Sequence, residues 1–263
     1  MTQTSNDNRH QPVLAHLLEL RKRFIYSIII FALLTAACYP FAETIFQFLL
    51  QPLGDLLQEK KLERKLIYTG LSEAFITYLK ISLFSGFFLS FPFIASQIWF
   101  FIAPGLYKDE KKILRAILVA TPVLFIAGII FAYKFIFPAA YGFFLSFETP
   151  GTGGSLPIQL EPRVAEYLSF VMKLLLAFGV SFELPVLISV CASVGLIHSS
   201  TLIKYWRIAI VIIFAIAAIV TPPDILSMIG LAVPLVALYG LSILMVKLIE
   251  RRKNVKEADP CST

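Results

Sequence analysis

Residues 16–41, with the sequence HLLELRKRFIYSIIIFALLTAACYPF, join a short basic segment to a long apolar one. One apolar stripe at helical spacing begins before this segment and contains Val13, Leu17, Leu20 and Phe24. The apolar run at 24–41 has about 18 residues, which is just enough to cross the ~30 Å hydrocarbon core of a bilayer. This stretch therefore predicts a helix that enters a membrane, with its basic end at the cytoplasmic surface.

A carboxylate, Glu19, lies among these basic residues. It shares a helix face with His16 and Arg23, because residues three and four apart are neighbours on a helix. Glu19 could pair with Arg23, and such a surface pair contributes only about 0–1 kcal/mol. It could instead be available to a cationic partner at the membrane surface. The spacing alone favours the internal pair.

The composition predicts a protein with several membrane spans. Hydrophobic residues make up 58% of the 263 residues, charged residues only 15%, and the mean hydropathy is +0.80. A soluble domain of this length has no means of burying so much apolar surface. The net charge of +6 is explained by basic residues that flank the spans, so it does not indicate nucleic-acid binding.

Six apolar segments predict an all-α polytopic protein with six transmembrane helices in a single membrane domain, residues 1–263. Their approximate bounds are 24–41, 71–101, 113–137, 164–196, 205–220 and 225–246. The fifth segment has about 13 apolar residues, or ~20 Å of helix, and is expected to thin the bilayer locally. The remainder, 247–263, is expected to be a flexible cytoplasmic tail.

The connections and prolines predict a kinked helical bundle. Residues 43–70 are amphipathic and predict interfacial helices on the outer surface, divided at Pro52. Pro138 is expected to end the third span. Kinks are predicted within the longer helices at Pro92, Pro122 and Pro185.

The charge distribution predicts the orientation. Lysine and arginine are more numerous in the segments predicted to lie on the same side of the membrane as the N-terminus than in those on the opposite side. Both termini are therefore expected in the cytoplasm. Trp99 is expected at the same inner interface. No cleavable signal segment is evident, which suggests the cytoplasmic membrane of a prokaryote.

The cysteines and histidines do not suggest a metal site or a cofactor. Neither residue type occurs at the spacings typical of metal ligands. The cysteines are Cys38, Cys191 and Cys261, and the histidines are His10, His16 and His198. No metal, cofactor or catalytic residue is therefore expected.

Glu183 lies near the middle of the fourth apolar segment, where a carboxyl costs several kcal/mol unless it is paired, protonated or hydrated. It is expected to face protein or water. A proton-coupled small-solute transporter, with Glu183 as proton carrier, is the alternative function from the residues alone, although no internal repeat supports it. An intramembrane enzyme is a third option, which lacks HExxH, paired aspartates and a Ser/His pairing.

Four segments together resemble one family, and they follow each other in the family's order. They are residues 16–23 (HLLELRKR), 102–110 (IAPGLYKDE), 178–185 (FGVSFELP) and 221–224 (TPPD). The chain resembles, over essentially its whole length, the TatC family, the multispanning receptor subunit of the twin-arginine protein translocase. The resemblance implies a non-enzymatic function: export of folded proteins across the cytoplasmic membrane by the proton-motive force.

The resemblance also implies roles for particular residues. Glu19 and Glu110 would bind the paired arginines of the signal peptide, and Glu183 would contact partner helices. Supporting motif positions are His16, Leu20, Arg21, Pro104, Leu106 and Tyr107, and the outer turn contains Pro222 and Asp224. The implied partners are single-span TatA-type and TatB-type proteins, twin-arginine signal peptides, the lipid bilayer and further copies of the chain.

Overall fold

The computed structural model describes residues 11–59, 66–102, 111–149, 156, 159–220 and 225–258. Within these ranges, side chains are described except at 11–15, 102, 111–115, 220, 226–227 and 252–258. Regular structure in the described part is helical, and Ile67 and Arg163 form an isolated parallel bridge. The all-helical fold predicted from the sequence is confirmed.

The helices are, in chain order, α1 (Gln11–Cys38), α2 (Ala42–Glu59), α3 (Glu73–Ile102), α4 (Lys111–Phe131), α5 (Phe137–Leu145), α6 (Val164–Ser181), α7 (Leu184–Ser193), α8 (Ser199–Lys204), α9 (Trp206–Val220) and α10 (Ile225–Ala258). A 3-10 turn follows α1, and a π-helical turn joins α4 to α5. Within the described residues, 5 helical segments have the length and apolar composition to cross a membrane, and α9 is a shorter apolar helix.

The chain divides into two compact units, residues 1–43 with 78–122 and residues 44–77 with 123–263. In the first unit α1 packs closely on α3. A Cβ added at Gly86 of α3 would lie 2.7 Å from the Cα atom of Thr35 in α1. The glycine therefore allows the two backbones to approach, as small residues do in membrane helices.

Trp99 also belongs to this unit. Its position at the inner membrane interface stays a prediction, and its side chain is buried within the protein. Its indole Nε1 donates a hydrogen bond to Thr121 Oγ1 at 3.0 Å. The indole therefore finds its partner inside the protein, between α3 and α4.

In the second unit, helix α2 is continuous through Pro52, so the predicted division at this proline is wrong. Proline has no N–H, which leaves the carbonyl four residues earlier without its helical donor. That carbonyl belongs to Phe48, and the hydroxyl of Tyr133 donates to it at 2.6 Å. The hydroxyl of Tyr167 donates to the next carbonyl, Leu49 O, at 2.7 Å. Tyrosines from distant parts of the chain thus stabilise α2 around Pro52.

The sequence predicts that Pro138 ends the third helical segment. This prediction is wrong, because the helix continues past the proline. A π-helical turn, Ala132–Ile136, precedes the proline, and α5 then continues to Leu145. The N–H of Phe137 donates to Ala132 O, five residues back. The wider turn changes the hydrogen-bond register just before Pro138, which lies in the first turn of α5, where a missing N–H costs little.

The fourth predicted span forms one membrane-length segment, Val164–Ser193, which is interrupted between α6 and α7. Helix α6 ends at Ser181, and α7 begins at Leu184 with Pro185 in its first turn. The proline therefore starts a new helix and does not merely bend a continuous one. After α7, Gly195 adopts a φ of 83°, a left-handed conformation that favours glycine after the end of a helix.

The last two helices differ in length. Helix α9 has 15 residues, or about 22 Å, which agrees with the short fifth segment of the sequence. Helix α10 continues to Ala258, beyond residue 246, where the sixth span was predicted to end. Residues 247–258 contain no glycine or proline and are rich in helix-forming Lys, Arg and Glu, which explains the extension.

Candidate functional site

Glu19 lies on α1 and forms an ion pair with Arg23, one helical turn later. Arg23 donates from Nη2 and Nε to the same carboxylate oxygen, Oε1, at 2.6 and 3.0 Å. The side chains are 25% exposed for Arg23 and 39% exposed for Glu19. The internal pair favoured by the spacing is therefore present, and the carboxylate remains partly accessible.

Arg23 also reaches helix α3. Its Nη1 donates to Gln97 Oε1 at 3.3 Å, and its Cζ atom lies 5.9 Å from the ring centroid of Phe100. Sequence reasoning missed both partners. The available signal was a polar residue, Gln97, near the end of the second apolar segment, with an aromatic residue three positions later on the same helix face.

The supporting positions on α1 have distinct environments. The ring of His16 stacks on Phe101 of α3, with centroids 4.2 Å apart and planes 16° apart. Arg21 is exposed. Leu20 lines the cavity between α1 and α3. Together with the Arg23–Gln97 bond, the His16–Phe101 stack fixes the start of α1 to the end of α3.

An apolar cavity of about 440 Å³ lies between α1 and α3, within the first unit. Its lining is mainly aliphatic and aromatic, with Leu20, Phe24, Ile28, Phe31, Phe87, Ile94, Ile98 and Phe101. The polar lining residues are Arg23, Ser27 and Gln97. Ser27 donates its hydroxyl to Arg23 O at 3.0 Å, so this hydroxyl is used within α1. The cavity is thus apolar, and the hydrogen-bonded side chains of Arg23 and Gln97 form its polar edge.

Several predicted site residues lie outside the described residues, and their roles stay predictions. They are Pro104, Leu106, Tyr107, Glu110, Pro222 and Asp224. Glu110 belongs to the segment between the end of α3 at Ile102 and the start of α4 at Lys111.

Glu183 belongs to the second unit and is buried, with 6% of its surface exposed. It immediately precedes α7: its N–H donates to Val180 O at 3.1 Å, and its carbonyl accepts from Leu187 N at 2.9 Å. The backbone thus places the carboxyl at the break between α6 and α7. This burial agrees with the expectation that Glu183 faces protein.

A family model described as "Sec-independent protein translocase protein (TatC)" matches residues 15–234. The chain belongs to the TatC family. A TatC protein of Rickettsia prowazekii (strain Madrid E) is 46% identical over 243 residues, covering 92% of this chain and 95% of that protein. A TatC protein of Magnetococcus marinus is 42% identical, covering 94% of this chain and 88% of that protein.

Solved TatC structures agree with this assignment. A crystal structure of the twin-arginine translocase receptor TatC has a TM-score of 0.75 and 36% identity, covering 89% of this chain and 99% of that one. A second, of TatC in DDM, has a TM-score of 0.76, with 88% and 98% covered. This TatC chain is therefore a multi-pass membrane subunit of a protein translocase, and its role is transport. The small-solute transporter alternative is not supported.

Proposed function

We propose that this TatC chain is the receptor that binds the paired arginines of twin-arginine signal peptides, with Glu19 and Glu110 as the binding carboxylates. The observation that carries the proposal is the position of Glu19. It is partly exposed and bonded to Arg23, which lines an apolar cavity. A signal peptide presents basic residues followed by an apolar segment, so a carboxylate beside an apolar cavity fits that order.

The chemistry of arginine supports a carboxylate receptor. A guanidinium remains charged at working pH and donates two parallel N–H bonds to a carboxylate, which a lysine ammonium does not reproduce. A hydrogen bond to a charged group contributes about 1.5–3 kcal/mol. Two carboxylates, one for each arginine, would therefore distinguish a twin-arginine peptide from a twin-lysine peptide.

The proposed receptor works at the cytoplasmic face of a prokaryotic inner membrane. The excess of basic residues in the inner segments supports six spans with both termini inside. Transport would use the proton-motive force, with TatA-type and TatB-type single-span partners and several copies of this chain in the complex. Glu183, buried at the α6–α7 break, would contribute to partner contacts.

The proposal is tested by peptide binding to purified protein in nanodiscs. Glu19→Gln and Glu110→Gln are each expected to weaken binding of a fluorescent twin-arginine peptide about tenfold, because the amide loses the charge-assisted bond. Glu43→Gln removes an exposed carboxylate elsewhere in the first unit and serves as the control. Unchanged affinity in Glu19→Gln and Glu110→Gln would contradict the proposal.

A further inference from the structure

We propose that Arg23 is a positioning residue for the receptor carboxylate: it holds Glu19 Oε1 and leaves Oε2 for an arginine of the signal peptide. The inference rests on the proposed function. Both bonds from Arg23 end on Oε1. In the part of the chain that the structure describes, Oε2 accepts no hydrogen bond. A carboxylate has about four lone-pair sites, and Arg23 occupies the two on Oε1. A second guanidinium can therefore direct both of its N–H bonds to Oε2 while Arg23 stays in place.

The contacts of Arg23 make it suited to this role. Its guanidinium is held by Glu19 on α1 and by Gln97 and Phe100 on α3, and only 25% of the side chain is exposed. Because these contacts already fix the guanidinium, Arg23 loses little further side-chain freedom when Glu19 binds the peptide. A glutamate on a helix surface without such a support would sample several rotamers, and binding would have to restrict them. Arg23 therefore pre-organises the carboxylate.

A competing role for Arg23 would have the opposite consequence. If Arg23 had to leave Glu19 before the peptide binds, its removal would raise the affinity. An isolated surface pair would allow this, because such pairs contribute little. Arg23, however, is anchored to α3 through Gln97 and Phe100, so its departure would break contacts on two helices. These contacts favour the positioning role.

The test measures binding of the same twin-arginine peptide to Arg23→Lys and Gln97→Met. Lysine keeps the positive charge, but its ammonium group does not reproduce the planar guanidinium that donates to Glu19 and Gln97 together. Methionine at position 97 keeps the side-chain volume but lacks the amide oxygen that accepts from Arg23. Each variant is expected to weaken binding about three- to fivefold, as for the loss of one hydrogen bond. Lys22→Gln, which removes a neighbouring exposed charge, is the control and should leave the affinity unchanged.

The deciding readout is the dependence of this loss on Glu19. If Arg23 acts through the carboxylate, Arg23→Lys is expected to have no further effect in a Glu19→Gln background, since residues that share one network are not additive. An independent, additive loss would indicate a merely structural role and would overturn the inference, as would a gain in affinity in Arg23→Lys. If Glu19→Gln weakens binding but Arg23→Lys and Gln97→Met do not, only the inference fails. Unchanged affinity in Glu19→Gln refutes both the inference and the role of Glu19.

Discussion

Replacing Gly128 with alanine is expected to lower the free energy of unfolding by about 1–3 kcal/mol, the usual cost of overpacking a core. Gly128 lies on α4, where an added Cβ would be 2.6 Å from the backbone oxygen of Phe178 on α6 and 2.9 Å from Cγ of Phe182. A backbone carbonyl within a helix has little freedom to move. The two helices must therefore separate, which disrupts the packing of the fully buried Phe178.

The same crossing contains a second glycine in a milder position. A Cβ added at Gly179 of α6 would lie 2.7 Å from the ring of Phe125 on α4. Because the obstacle is a side chain, it has more ways to adjust than a carbonyl has. Gly179→Ala is therefore expected to be less destabilising than Gly128→Ala. Close approach of backbones at small residues is the usual basis of helix packing in membranes.

The measurement is unfolding of the purified protein in SDS, followed by intrinsic fluorescence. Gly142→Ala in α5 is the matched control, because an added Cβ there meets nothing within 4 Å. Alanine is the better helix former by about 0.5–1 kcal/mol, so the control should be neutral or slightly more stable. Equal stability of Gly128→Ala and Gly142→Ala would show that the close crossing is not required for the fold.

Local patterns in the sequence were sufficient for the helices and for the Glu19–Arg23 pair. Apolar runs of membrane length define most helical segments, and the four-residue spacing places Glu19 and Arg23 on one face. These features depend only on residues that are close in the chain. The Glu19–Arg23 pair could therefore be predicted before the structure, whereas the receptor role of Glu19 was implied by the resemblance to the TatC family.

The partners of that pair required the structure. Gln97 is 74 positions from Arg23, and no local pattern reports which polar residue of α3 meets α1. The errors at Pro52 and Pro138 have a related cause. A proline predicts a lost helical bond, but it does not reveal whether a distant hydroxyl or a π-helical turn compensates for that loss.

The compensation at Pro52 leads to a second prediction. Tyr133→Phe is expected to lower the free energy of unfolding by about 0.5–1.5 kcal/mol, the usual contribution of a hydrogen bond, because it removes the hydroxyl that donates to Phe48 O. The aromatic ring is retained, and so is its stacking on Phe48 at 4.9 Å. The variant therefore isolates the hydrogen bond.

A double-mutant cycle with Pro52→Ala identifies the cause. Alanine restores the backbone N–H that Phe48 O lacks in the native helix, so the hydroxyl of Tyr133 becomes dispensable. The cost of Tyr133→Phe should then fall to about 0–0.5 kcal/mol in the Pro52→Ala background, a coupling of about 0.5–1 kcal/mol between the two positions. SDS unfolding of the four proteins gives this coupling directly.

Tyr167 provides the internal comparison for this cycle. Its hydroxyl donates to Leu49 O, whose helical donor would be the N–H of Leu53 and not of residue 52. Pro52→Ala therefore adds no donor at Leu49 O, and Tyr167→Phe should cost the same with proline or alanine at 52. If Tyr133→Phe also costs the same in both backgrounds, the Tyr133 hydroxyl is not compensating for Pro52. Coupling at Tyr133 without coupling at Tyr167 would show that a tyrosine 81 positions later lets α2 continue through its proline, because its hydroxyl replaces one particular N–H.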